Sequence, residues 1–552
     1  MLSRIDFQAA APARGQPLRS DVVCFVGYVA RRRGQPLPPE VLEQLRDSGW
    51  PLPARGQTGT ATRQVQPGRL ATDRLEALWH LPVVVESWSL FEQLFAWERR
   101  PLLQGSSRFC SSYLGAAVRR YFATGGRRAV VVRVGDPWPF LEVGRQARRL
   151  ERLREILPSL PSVGAVSTGL QVLDPLAWRG IEHLHGLVEV SHLCLPDLAD
   201  CCAVDPEEVE SPPPPAPPTE VFVECSDSEP QGSLSEEDTS LKDVEVPRLD
   251  GEGFRDWGAA LAETARFLTT HRRDALFIGH VPQSLPRTQA GSPATHALDD
   301  LHGFLVQAGL WRDRLSTSGW GGAIGADPPW SMESAFLQLA WPWLRGPRTT
   351  DLPAQLEPPD GLLAGLIARN ALERGTHRSI AASPVDGVAF LEPVPALGPG
   401  RDSPVNRLAE RVCLIGPTPA GFRLLSDVTT SRHGAWRSGG VSRMISSLCR
   451  AVRRAGESAV FEPNGPETWA QVRRRLESLL GEWWGRGALG GRSSAEAFTV
   501  RCDRSTMSQA DLDQGRIRAE VGVLPARAVE RITVVLALQN GAVQLTAPEV
   551  AS

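Results

Sequence analysis

Apolar residues recur along this chain with two periods, and each period marks an element. The plainest helical stripe runs through Trp469, Val472, Leu476, Leu479, Leu480 and Trp483. Arg473, Arg474 and Arg475 fall off that stripe and are expected to face outward. Asn464 is placed to cap the helix, Pro466 suits its first turn, and Glu467 sits where a capping box needs it. Gly485 and Gly487 end it. The period then changes to two: AFTVRCD alternates Phe498, Val500 and Cys502 on one face. A turn rich in Ser, Asp and Gln follows, then IRAEVGV and VERITVVLAL. These residues predict one helix on a small sheet, with a last strand leaving the unit late.

The earlier chain alternates strand and helix. DVVCFVGYVA supplies a buried strand from Val22 to Val29, and Val83 to Val85 a second. Ser87 caps a helix with Trp88, Phe91, Leu94 and Phe95 inward. SYLGAAVRRYFATGG is a helix closed by Gly125 and Gly126, and RRAVVVRVG a strand. WGAALAETARFLTTH, burying Trp257, Leu261, Phe267 and Leu268, precedes the strand ALFIGHVP. Helix 441–454 turns Met444, Leu448 and Val452 inward. Residues 205–250 break the pattern, with consecutive prolines from Pro212 to Pro215 and mostly Glu, Asp and Ser around them. Such a stretch buries too little apolar surface to offset its ordering entropy, so an exposed insertion is expected.

Composition narrows the class. A length of 552 residues allows about three domains. Hydrophobic content of 42% and charged content of 22% are ordinary for globular protein. A net charge of −3 argues against bulk electrostatic binding to nucleic acid. No run is apolar enough for a membrane span, and Met1 to Ser20 lacks the core of a signal peptide, so a cytoplasmic location without membrane insertion is expected. Nine cysteines without regular spacing fit reduced thiols.

Candidate chemistry is sparse. His183, His185, His192, Cys194, Cys201 and Cys202 lie close in sequence, and His183 and His185 would share one strand face. Without Cys-x-x-Cys or His-x-x-x-His spacing they read as ordinary strand residues rather than a metal site. Gly319, Gly321, Gly322 and Gly325 follow a polar stretch and lack the Lys-Ser/Thr of a phosphate loop. Asp503, Asp511 and Asp513 do not match a calcium loop. No catalytic residue, cofactor or metal is assigned.

Several of these stretches together resemble one family. VFEPN, the Trp469 helix, Gly-Ala-Leu, FTVRCDRSTMSQADLDQG and EVGVLPARAVERI look like the C-terminal domain of contractile tail sheath proteins, the outer sleeve of phage tails and phage-tail-like injection systems. YLGAAVRRYFATGGRRAVVVRV resembles the N-terminal region of the same family, and LCLPDL places a Pro-Asp pair after a strand as the family does. Asn406 and Trp436-Arg437 match, whereas GFRLLSDVTTSRHGA departs from the pattern.

The resemblance implies an α/β fold: an αβ sheath domain at 21–385, interrupted by the acidic insertion 205–250, and a smaller C-terminal α+β domain at 386–530. An N-terminal linking arm (1–20) and a C-terminal linking strand and tail (531–552) would flank them. It implies a structural subunit, not an enzyme, that polymerises around an inner tube and drives it by contraction. The partners implied are other copies of itself, the inner tube protein, and baseplate and cap proteins. On this reading Arg473, Arg474 and Arg475 meet the tube, and Ile532, Thr533, Val534 and Val535 pair with a neighbouring subunit. Two alternatives stay open at this point: a non-contracting end or baseplate component, and a nucleotide-binding αβ enzyme using the 255–280 unit and the glycine-rich loop.

Overall fold

The computed structural model describes residues 19–52, 70–160, 174–206, 241–285, 301–307, 309–312, 332–395, 404–457, 462–513, 515–526, 532–539 and 542–550. Its larger unit is built on an eight-stranded sheet. The strands in chain order are β1 (Val23–Tyr28), β2 (Pro82–Val85), β3 (Ala129–Gly135), β4 (His192–Cys194), β5 (Leu276–His280), β6 (Leu337–Trp341), β7 (Cys413–Thr418) and β8 (Gly421–Leu424). Their spatial order is β8-β7-β6-β5-β4-β1-β3-β2. The six inner strands are parallel, and antiparallel β2 and β8 close the two edges.

Both faces of this sheet are covered, which is why its strands read as unbroken apolar runs. Cys24, Val26, Val130, Val132 and Val134 point into one core. Val23, Phe25, Ala129 and Val131 point into the other. The second core is roofed by helices α1 (Tyr113–Thr124) and α3 (Asp360–Glu373); the first by α2 (Gly251–His271). Helices α1 and α3 approach closely because Gly365 faces Thr124, where a Cβ would overlap it. Ser112 caps α1 by accepting from the Gly115 N–H, and Ser87 caps its helix through Leu90.

The smaller unit packs α4 (Gly439–Glu457) and α5 (Pro466–Gly485) on a four-stranded antiparallel sheet. Its strands are β9 (Phe498–Arg501), β10 (Ile517–Val523), β11 (Ile532–Gln539) and β12 (Ala542–Val550), side by side in that order. The α5 stripe is buried at Trp469, Val472, Leu476 and Leu480, against Ile517, Ala519, Val521 and Val523 of β10.

Four expectations change. The smaller unit does not begin at 386: β7 and β8 belong to the large sheet, and Leu391, Cys413, Ile415 and Leu424 lie in its core. The small core begins at Trp436. The insertion narrows as well. Val244 and Val246 are buried and Arg248–Leu249 is a short strand, so 241–250 is part of the fold, while the prolines lie outside the described residues. Asn464 does not cap α5. Gly465 holds that place without a side-chain bond, because the Asn464 carbonyl oxygen accepts from the Trp469 indole at 2.7 Å and its amide donates to Arg516 O. Finally, 540–552 is not a polar tail: β12 occupies most of it, and in the single chain β11 pairs with its own β10 across seven register positions from Ile517↔Leu538 to Val523↔Ile532. Of the N-terminal arm, only Arg19 and Ser20 fall within the described residues.

Candidate assembly interfaces

In a doubly wound sheet, ligands bind beyond the carboxyl ends of the strands where the winding reverses, which here is between β1 and β4. That place is filled from within. The Asp197 carboxylate, just after β4, accepts the Tyr28 backbone N–H at 2.7 Å and lies against Gly27. Next to it, the Asp360 carboxylate at the start of α3 faces His280 Nδ1 at 3.1 Å and the Cys194 thiol at 3.6 Å, and accepts its neighbour's Gly361 N–H at 2.8 Å. Asp200 is held between Arg100 and Arg145. All of these side chains are buried. Burial pushes Asp197 up to about 7, opposed by the Tyr28 N–H and the Arg100 guanidinium. Burial would raise Asp200 too, but the two guanidiniums hold it below the usual carboxylate range.

The histidines expected on one strand face are elsewhere. His183 and His185 sit on a short 3₁₀ helix, Gly180–His185, where residues two apart diverge. His183 packs among His80, Trp50 and Trp178, and burial first, then His80, keeps it neutral. His185 turns toward Phe267 and His271, and burial lowers it to about 4. Cys201 and Cys202 end a one-turn helix inside the core. Among the described residues no three His, Cys, Asp or Glu side chains are placed to hold a metal ion. The eight described cysteines are free and buried. The loop bearing Gly319, Gly321, Gly322 and Gly325 lies outside the described residues. No described helix is long and apolar enough to cross a membrane.

Arg473, Arg474 and Arg475 are exposed on α5, off its buried stripe, with Arg474 opposite it and the other two flanking. Arg473 faces Glu477 one turn on at 3.8 Å, with both side chains nearly half exposed, a contact of small energetic weight. The Asp503 carboxylate is tied to Ser505 N–H and Oγ and caps a short turn. Asp511 accepts from Ser508 in the same way.

The helix α4 carries a feature that periodicity in apolar residues alone does not show. Its apolar side (Met444, Ile445, Leu448, Cys449, Val452) belongs to the small core. Its other buried side is polar: Ser442, Arg443, Ser446, Ser447 and Arg450. Arg443 donates to Asp427 at 2.7 and 2.8 Å and to Gln338 at 3.0 Å. Arg450 donates to Asp274 O, Ser447 and Ser20, and Arg453 reaches the Asp274 carboxylate at 3.1 Å. The two units are therefore joined through buried charge, with Arg443 on Asp427 and Arg453 on Asp274. The signal was the arginine repeat at seven-residue spacing, two helical turns, in VSRMISSLCRAVRR.

The fold is a doubly wound unit, with its crevice filled by buried side chains, joined to a small α+β unit. No family model matches the chain, and no curated protein matches it. Solved structures do. A chain of the anti-feeding prophage baseplate in its contracted state is 16% identical, with a TM-score of 0.51 over 95% of this chain and 95% of that one. A chain of the same prophage's six-fold symmetrised baseplate gives 17% and 0.48 over 96% of each chain. A chain of its contracted helical sheath gives 16% and 0.46, also over 96% of each. The first of these shows the fold, shared with that baseplate chain over 95% of each chain.

Proposed function

We propose that the chain is a structural subunit of a contractile sheath, polymerising around an inner tube in a phage-tail-like injection system. The observation that carries this is the end-to-end fold shared with the contracted-state baseplate chain, since it covers both units and the connection between them. The sheath-like motifs at 113–134 and 460–523 agree with it, and they lie in the two separate units. Work would come from the difference in buried interface between two packings of the subunits, not from hydrolysis. The plugged crevice between β1 and β4 disfavours the nucleotide-enzyme alternative, and nucleotides should leave the melting temperature unchanged in a thermal-shift screen.

Subunits would be linked by strand exchange. In the single chain β11 lies in its own sheet; in the polymer the β11–β12 hairpin would add to a neighbour's β10. The ladder is the same in either arrangement, so main-chain hydrogen bonds are kept and side-chain fit is not renegotiated. The edge strand β9 would remain open to the N-terminal arm of a further copy. Arg473, Arg474 and Arg475 would face an acidic tube surface. Negative-stain microscopy of the purified protein tests the reading: rings or tubes support it, and discrete monomers at all concentrations oppose it.

A further inference from the structure

The point where the leading segment enters the fold is tied down more heavily than a strand start requires. Ser20 Oγ lies 2.9 Å from Ser447 Oγ of α4, and Arg450 of α4 donates to both hydroxyls, at 2.8 and 2.9 Å. Arg450 also donates to the Asp274 carbonyl at the head of β5. The Asp274 carboxylate is gripped in turn by Arg272 Nε at 2.9 Å and Arg453 at 3.1 Å. Arg272 anchors itself on the Leu187 and Val190 carbonyls. One residue on, Asp21 carries the Arg19 guanidinium at 2.7 and 3.1 Å, and its carbonyl accepts from the Tyr121 hydroxyl of α1 at 2.7 Å. The Val22 carbonyl accepts from Ser191 Oγ at 2.8 Å. Three elements, α4, α1 and the residue before β4, thus hold three successive residues. Ser20, Asp21, Arg272, Asp274 and Arg450 are all buried.

We infer that Ser20, Ser447, Arg450 and Asp274 form a mechanical joint that passes tension on the leading segment into α4, and so into the small unit. It does so without peeling β1 from the sheet. Bonds that resist a pull together, in shear, share the force, whereas a strand drawn off its ladder yields one bond at a time. The residues sit where that distinction matters. Ser20 lies three residues before the start of β1, and α4 is the one described helix with a buried polar side on the large unit and an apolar side in the small one. The joint's purpose rests on the sheath reading, in which the leading segment links subunits; its existence as a joint does not.

Single-molecule pulling on the isolated chain separates the two. With handles at Met1 and Glu373, force enters through Ser20; with handles at Gln146 and Glu373, it bypasses the joint. The wild type should show an early force peak in the first geometry. Ser20→Ala with Ser447→Ala should abolish that peak, leave the second geometry unchanged, and shift the urea midpoint little. Arg450→Lys, which keeps the charge beside Asp274 but loses the fork onto two hydroxyls, should weaken the same peak and serves if the double variant does not fold. An unchanged peak, or an equal loss in both geometries, overturns the inference. Monomers in the micrograph described above would instead overturn the sheath reading and leave these force traces as they are.

Discussion

Individual residues divide into those whose type announced their place and those whose partners did not. Trp469, Leu476 and Leu480 were legible because a helix repeats its faces by spacing. Asp197 was visible only as the Asp of Leu-Pro-Asp, since no local rule says that a carboxyl after β4 will lie under the end of β1. Its burial has a consequence for pH. The folded protein holds Asp197 at about 7, above its ordinary value near 4, so the bound proton favours the fold. That contribution is fully present below about pH 4 and is lost as pH rises toward 7. Asp197→Asn keeps an acceptor for Tyr28 without the charge. Between pH 4 and 7 its denaturation free energy should therefore rise relative to wild type, and parallel profiles would refute the assignment. The Arg443–Asp427 pair makes a separate prediction. Arg443→Met strands a buried carboxylate and should cost about 3–5 kcal/mol in urea unfolding.

Elements were read well where one periodicity ran without interruption. β1, β3, α1 and α5 stand where their patterns placed them. Elements were misread where a long-range contact decided the outcome. The Gly180–His185 turn took His183 into an aromatic cluster, and Asn464 abandoned the cap for the Trp469 indole. β12 was missed because Ala542–Val550 has weak alternation and gains its strand from the neighbour β11. The two sides of α5 should respond in opposite ways. Leu480→Ala empties a buried site and should cost about 2–5 kcal/mol, seen as early hydrogen exchange across β9 and β10. Arg473→Glu with Arg474→Glu touches only exposed side chains and should change stability by less than about 0.5 kcal/mol. On the proposed sheath reading it should nevertheless abolish co-purification with an inner tube at moderate salt; retained tube would count against these arginines as the contact.

At the scale of the molecule, the chain is a large sheet unit and a small one, joined by a helix whose two buried sides differ in polarity. The order of the units was legible from the motifs, whereas the boundary was not. Residues 390–392 and 413–424 are apolar enough for either core, and the pairing of Phe390–Glu392 with Trp343–Arg345 and of β7 with β6 assigns them to the large unit. The same logic bounds the insertion. Replacing 207–240 with a short Gly-Ser linker should leave the melting temperature and assembly intact. Extending the deletion through 245 should destabilise, because Val244 is buried and Leu241 O accepts from Ala354 N.

Strand exchange between subunits is the claim on which the polymer depends, and cross-linking in a mixture tests it directly. β10 and β11 place Arg518 opposite Ala537. Arg518→Cys and Ala537→Cys are made in separate chains, mixed, assembled and oxidised. Exchange predicts disulfide-linked dimers containing one chain of each kind, in assembled particles and not in monomer fractions. Assembled particles without such dimers, while a single chain carrying both cysteines closes its own disulfide, would contradict it.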